Sequence, residues 1–211
     1  MPHGSSRLLP RPYKQLVGRG DRMCIVLDWD ERGLLPPIFP GTLPTERDRS
    51  PYKVSICTFV ENLAINRQRI SILGKFLKFR EFLFNSEIRD GIQWINGSFC
   101  EYVELTQNRY PNDIDVVTFF NIPNGFTQVD LLSKNQKLFD HEYVKENFSV
   151  DSYFCVFGNT ENEYSRRDVT YWYSMWSHTR DYQWKGFIEI PLDYSSDKEA
   201  QAILEKITRG S

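Results

Sequence analysis

Three aspartates and one Gly-Ser pair are the residues of this chain whose types and spacing suit chemistry on a phosphate. Asp113 and Asp115 are two apart and open the run Val116, Val117, Thr118, Phe119, Phe120, which is rich in strand formers. Alternate side chains of a strand share a face, so both carboxylates point the same way while Ile114 points into a core. Carboxylates held a few ångströms apart repel, and each has a raised pKa unless a cation sits between them. Mg²⁺ (or Mn²⁺) is the simplest such cation, a hard ion that takes one or two carboxylates plus phosphate oxygens. Gly97-Ser98, in a turn after the apolar Ile92–Ile95 segment, adds backbone N–H groups and a hydroxyl suited to phosphate oxygens. A lone Asp-x-Asp is usually a solvated strand edge or turn. Here a Pro111-Asn112 turn signal precedes it and a strand pattern follows.

A third carboxylate decides between these readings, because a clamp of two metal ions ~3.5–4 Å apart needs more than two anionic ligands. Asp151 lies within Phe148–Phe157, FSVDSYFCVF, which reads as a second strand. An acidic side chain inside an apolar strand is costly to bury without a partner. It either ends the strand in water or faces the other two aspartates across a metal.

The elements that must position these residues are mixed. Residues 1–22 are rich in Pro, Gly, Ser and Arg, Met23–Trp29 reads as a short strand, and Gly33–Pro44 is too rich in proline for a regular element. Residues 1–50 are therefore an irregular arm and 51–211 the domain. A helical stretch is expected from Pro51 to about Leu63, then a longer helix over Arg67–Phe84 with Ile70, Leu73, Phe76, Leu77 and Phe84 on one stripe. Arg80 shares that stripe. Its stem packs while its head reaches water, or it makes a buried ion pair or a phosphate contact.

Further helices are expected over Val129–Asp140 and Glu142–Asn147, and over Ser165–Trp176 and Asp197–Arg209 with capping boxes at Ser165-x-x-Asp168 and Ser196-x-x-Glu199. The stripe Val169, Trp172, Tyr173 and Trp176 reads as core, with base stacking as the minor alternative. Phe187–Leu192 reads as a strand. The sum is an α/β (α+β) domain, a mixed sheet flanked by helices.

Lys185, beside Gly186 and before that last strand, either reaches a phosphate as a point charge or decorates a solvated turn. Arg166 and Arg167 oppose the dipole of the helix they begin, a weak sign of an anion nearby. Lys134 and Lys137 read as surface charges.

Composition narrows the classes further. A net charge of −2 over 211 residues argues against non-specific nucleic-acid binding over the whole surface. Cys24, Cys57, Cys100 and Cys155 are far apart, with no CxxC spacing, as expected in a reducing cytoplasm. His3, His141 and His178 are too scattered to suggest a zinc site or a histidine triad. No apolar run approaches a membrane span.

The chain resembles the nucleotidyltransferase fold of the DNA polymerase β superfamily. The likeness rests on the Gly97-Ser98 turn, Asp113-x-Asp115 on the next strand and a lone Asp151 on a later one. Within that superfamily it is most similar to an uncharacterised bacterial group of small nucleotidyltransferase-like proteins. That similarity runs in order through GLLPP (33–37), RSPY (49–52), ILGKFLKFREFL (72–83), QWINGSF (93–99), PNDIDVVTFF (111–120), VDSYF (150–154) and WKGFIEIPL (184–192). The resemblance implies that Gly97 and Ser98 hold a triphosphate and that Asp113, Asp115 and Asp151 ligate Mg²⁺ or Mn²⁺. It departs in spacing: 14 residues separate Ser98 from Asp113, which implies an extended hairpin or loop over Glu101–Tyr110.

The expected activity is transfer of an NMP or dNMP from a nucleoside triphosphate to a hydroxyl on an RNA end, a protein or a growing oligonucleotide. The resemblance adds a setting in bacterial toxin–antitoxin or antiviral defence, with a partner protein encoded nearby. The alternative is a regulatory, antitoxin or sensor partner that keeps the fold without turnover. Phosphohydrolase or nuclease chemistry ranks last.

Overall fold

The computed structural model describes residues 28–43, 45–157 and 163–210. Among these residues five strands form one mixed sheet: β1 (Tyr52–Lys53), β2 (Gly91–Asn96), β3 (Ile114–Phe120), β4 (Val150–Val156) and β5 (Ile188–Pro191), in the order β1-β5-β2-β3-β4. β2 runs antiparallel to both β3 and β5, whereas β3 and β4 are parallel, as are β1 and β5. The parallel β3–β4 pair needs a crossover. It is supplied by three helices, α4 (Gln128–Lys134), α5 (Gln136–Phe139) and α6 (His141–Phe148). The expected α/β architecture is therefore present, a mixed sheet flanked by helices.

Each sheet face buries its own apolar set, as the alternation of side chains along a strand requires. On one face Ile95, Ile114, Val116, Phe120 and Val150 join α1 (Ile56–Leu63), α2 (Arg67–Asn85) and α8 (Tyr194–Gly210) in the larger core. On the other, Trp94, Val117, Phe119 and Cys155 meet Trp172 and Trp176 of α7 (Glu163–Trp176) and Phe187. Burying an aromatic or branched side chain is worth about 1.5–3 kcal/mol, so the inward residues set the register of β3 and place Asp115 on the second face.

Local sequence sets the helix ends. Ser55 caps α1 by accepting from the Thr58 N–H, and Asn66 caps α2 by accepting from the Arg69 N–H. Along α2, Leu73, Phe76 and Leu77 are buried as the stripe predicts. Arg80 is buried with them and does not reach water. It donates to Asp197 Oδ1 at 2.7 Å, Gln93 Oε1 at 2.5 Å and the Pro191 carbonyl at 2.8 Å, tying α2 to α8, β2 and β5. The snorkelling alternative is thus excluded, because three acceptors converge on the guanidinium in the core.

Several expected boundaries differ. Pro51 opens no helix: Tyr52–Lys53 pairs with β5, and α1 starts at Ile56. The stretch expected as one helix over Val129–Asp140 breaks at Asn135, and its start is set by a capping box between Thr127 and Asp130. Helix α7 begins at Glu163, which puts Ser165 inside it. Helix α8 begins at Tyr194, because Asp193 accepts from the Ser195 N–H and from the Ser195 and Ser196 hydroxyls. Glu101–Tyr110 is no extended hairpin: it contains a short helix, α3 (Val103–Thr106). The strand expected over Met23–Trp29 lies mostly outside the described residues, and Asp28 and Trp29 are not in a strand.

The segment before β1 packs on the body. Leu34 and Leu35 are buried, the Leu35 carbonyl accepts from the Gly186 N–H, and Trp29 stacks on Tyr102 at 4.8 Å. No helix among the described residues is long and apolar enough to cross a membrane.

Candidate active site

The parallel pairing of β3 with β4 brings the three aspartates together. Asp115 and Asp151 are register partners at the start of these neighbouring strands, and Asp113 immediately precedes β3. Across the antiparallel pair, Asn96 at the end of β2 is the register partner of Asp115. The Gly97-Ser98 turn follows Asn96, so all five expected residues gather at one end of the sheet. Both chain periodicity and register are needed for this, since Asp151 is 36 positions from Asp115.

Gly97 is required twice over. Its φ of +75° lies in the left-handed region that favours glycine. A Cβ there would stand 1.6 Å from Asp115 Oδ2, so the missing side chain is what lets the carboxylate lie against the turn. Ser98 begins a short 3-10 turn through Cys100.

A buried cation holds the chain after this turn. Arg69 donates to the Phe99 carbonyl at 2.7 Å and the Glu101 carbonyl at 2.6 Å, and makes a bidentate pair with Glu104 at 2.6 and 2.8 Å. Its guanidinium also lies over the rings of Trp29 and Phe99. Burial pushes the Glu104 carboxyl up, but hydrogen bonds from Arg69, a backbone N–H and Asn66, with the Arg69 charge, together outweigh it and hold the carboxyl below its usual range. These contacts fix the 97–104 segment relative to α2.

The site carries an electrostatic imbalance. The Asp115 carboxyl is raised from 3.8 to about 6, first by burial and then by the charges of Asp113 and Asp151, against the pull of Lys185 and Lys145. Lys145, on α6, places its Nζ 2.9 Å from Asp151 Oδ2 and 3.2 Å from Asp113 Oδ2. Its hydrogen bond to Asp151 is the main reason that the ammonium is held above its ordinary range. Helix α6 delivers it there because Ser149, left-handed at φ +53°, ends the helix and turns the chain straight into β4.

Two further residues stand at the cluster that sequence reading did not place there. His141 Nε2 lies 3.5 Å from Asp151 Oδ1. Tyr153 shares the Asp151 face of β4, and its phenol is pushed up first by burial and then by the Asp151 charge. The scattered histidines of the sequence thus include one beside the carboxylates. The signal was available only as a local pairing: His141 and Lys145 lie four apart, one helical turn, just before the Asp151 strand.

Lys185 is not on a solvated turn. It is 5% exposed, and its Nζ is paired with Glu101. From that buried position its charge still lowers the Asp115 pKa. Lys134 and Lys137 lie over the rings of Phe126 and Tyr143 and have no contact with the carboxylates among the described interactions. Trp172 and Trp176 are core residues, as expected, and Val169 packs against them, but Tyr173 of the same stripe is exposed, its ring meeting the edges of Trp94 and Phe187.

The donor set fits a divalent cation in its chemistry. Oxygen ligands of carboxylates are what Mg²⁺ and Mn²⁺ take, and Asp151 Oδ1 is buried without accepting a hydrogen bond. Asn96 Oδ1 is likewise buried and without a donor, while its Nδ2 donates to the Trp176 carbonyl. As they stand, no group of three or more His, Cys, Asp or Glu side chains among the described residues is arranged to hold a metal ion. The Lys145 ammonium occupies the space between Asp113 and Asp151.

No curated protein and no solved structure shows a significant match to this chain. A family model does match, over residues 27–191, from just before Trp29 to the end of β5. That span includes the Gly97-Ser98 turn, all three aspartates, Lys145 and Lys185, and the chain accordingly belongs to a family of unknown function, DUF6932.

Proposed function

We propose that this protein is a metal-dependent nucleotidyltransferase that acts in the cytoplasm and moves an NMP or dNMP from a nucleoside triphosphate to a hydroxyl acceptor. The observation that carries this reading is the convergence of Asp113, Asp115 and Asp151 beside the Gly97-Ser98 turn at one end of a mixed sheet. The resemblance to the nucleotidyltransferase fold supports it through the same five residues in the same order.

In this reading Gly97 and Ser98 hold the phosphates through backbone N–H groups and the Ser98 hydroxyl. Asp113, Asp115 and Asp151 hold Mg²⁺ or Mn²⁺, which when bound neutralises the phosphate charge and polarises the phosphoryl oxygens. Asp151 accepts the proton of the attacking hydroxyl. The acceptor oxygen bonds to the α-phosphorus, the bond to the bridging oxygen breaks, and pyrophosphate leaves with the electron pair. Lys185, buried and paired with Glu101, supplies positive charge near enough to Asp115 to pull its pKa down. The acceptor is the hydroxyl of an RNA end, a protein or a growing oligonucleotide. The defence setting and a partner protein encoded nearby follow from the resemblance alone.

The second reading, a regulatory or antitoxin partner without turnover, is favoured by one observation. Lys145 already compensates two of the three carboxylates, as a stable structural ion pair would. The readings separate in an assay with each α-³²P-labelled NTP and dNTP plus Mg²⁺ or Mn²⁺. The protein is tested alone, with total cellular RNA and with lysate. Transferase activity moves label to RNA, protein or an oligomer, and the Asp113→Ala/Asp115→Ala variant loses it. A folded protein that moves no label under any condition supports the regulatory reading.

A further inference from the structure

Lys145 has a place in the site that no sequence motif assigns. Its side chain is 45% exposed, so packing does not hold the ammonium in position. Two carboxylate oxygens do, Asp113 Oδ2 and Asp151 Oδ2. The other charged and titratable groups around the cluster are Asp115, His141, Tyr153 and the buried Lys185–Glu101 pair. None of the cations among them bridges two aspartates, as Lys145 does.

We propose that Lys145 is a tethered counter-ion that holds the carboxylate cluster closed until a divalent cation displaces it. This rests on the metal-site reading above. An ammonium seated between Asp113 Oδ2 and Asp151 Oδ2 repels a divalent ion entering the same space, so metal entry and release of Lys145 are one exchange. The exchange favours the metal because a divalent ion brings twice the charge and also takes oxygens that Lys145 leaves unused. Asp151 Oδ1 is one of these, buried and accepting no hydrogen bond while the lysine is in place. A lysine stem is long and flexible, so the freed ammonium stays within reach of the rim and of any phosphate bound there. The device keeps repelling aspartates together in the metal-free protein and costs some metal affinity.

The test is direct metal binding, read from the loss of the free Mn²⁺ paramagnetic resonance signal. It uses the full chain, Lys145→Met, Lys145→Gln, Lys145→Arg and Asp113→Asn/Asp151→Asn, each checked for folding by circular dichroism. Removing the competitor should tighten Mn²⁺ binding about tenfold in Lys145→Met and Lys145→Gln, the factor for a clamp closed about nine-tenths of the time. Lys145→Arg keeps the charge and should bind like wild type. The metal-induced rise in Tm should be larger in Lys145→Met than in wild type. If wild type binds Mn²⁺ through Asp113 and Asp151 but neither neutral variant binds it more tightly, the counter-ion proposal falls and the metal site stands. If neither wild type nor any lysine variant binds Mn²⁺, the proposal and the metal-site reading fall together.

Discussion

Replacing Asp115 by asparagine should stabilise the metal-free protein while removing the proposed transferase activity. The folded state raises the Asp115 carboxyl from 3.8 to about 6, through burial first and the charges of Asp113 and Asp151 next. A raised carboxyl means that the unfolded chain ionises before the folded one. Stability from this group is therefore fully present below the unfolded value and is lost as pH rises through the folded one. At 1.36 kcal/mol per pKa unit the loss is about 1 kcal/mol near pH 4.5 and about 3 kcal/mol near pH 7.5.

Asparagine keeps the shape that fits against Gly97 but carries no charge to bury. The Asp115→Asn variant should thus gain about 3 kcal/mol near pH 7.5 and only about 1 near pH 4.5, or roughly 6–12 °C in Tm at the higher pH. The assay is urea unfolding of both proteins at the two pH values, without divalent ions. Saturating Mn²⁺ should then raise the stability of wild type more than that of the variant, because only wild type has an Asp115 charge to neutralise. An Asp115→Asn protein that is less stable than wild type near pH 7.5, or a gain that does not shrink near pH 4.5, would refute the electrostatic strain assigned to this site.

Other substitutions probe the scaffold. Gly97→Ala must accommodate both φ +75° and a Cβ 1.6 Å from Asp115 Oδ2, so a loss of about 1–2 kcal/mol in stability and a much weakened Mn²⁺ affinity are expected from unfolding and binding curves. Arg80→Met strands Asp197 and Gln93 in the core and should lower stability by about 3–5 kcal/mol, whereas Arg80→Met/Asp197→Leu should recover much of that in urea melts. Arg69→Lys cannot reproduce the fork that serves Phe99, Glu101 and Glu104 together. Hydrogen exchange at the Cys100 and Glu101 amides, which close the turn onto Gly97 and Ser98, should accelerate selectively. Unchanged exchange there would separate Arg69 from the geometry of the site.

What the sequence by itself determined is local. Asp115 and Ile114 face opposite ways because a strand repeats every two residues, and Ile114 enters the core, as the alternation requires. The apolar stripe of α2 and the pair Trp172 and Trp176 of α7 were legible for the same reason, with a period of 3.6 residues in place of two, although Tyr173 of that stripe stays exposed. Even Gly97-Ser98 was visible as a turn, although the need for glycine against Asp115 was not.

Tertiary structure decided everything that depends on a partner distant in the chain. Register placed Asp151 beside Asp115, and convergence of α2, β2, β5 and α8 turned Arg80 into a buried ion pair. The left-handed turn at Ser149 carried Lys145 and His141 back over the strand that follows them. A charged side chain on a helix looks the same in sequence whether it faces water or a carboxylate. Which it faces is set by how the elements pack, and packing free energy is summed over the whole core, beyond the reach of any short window of residues.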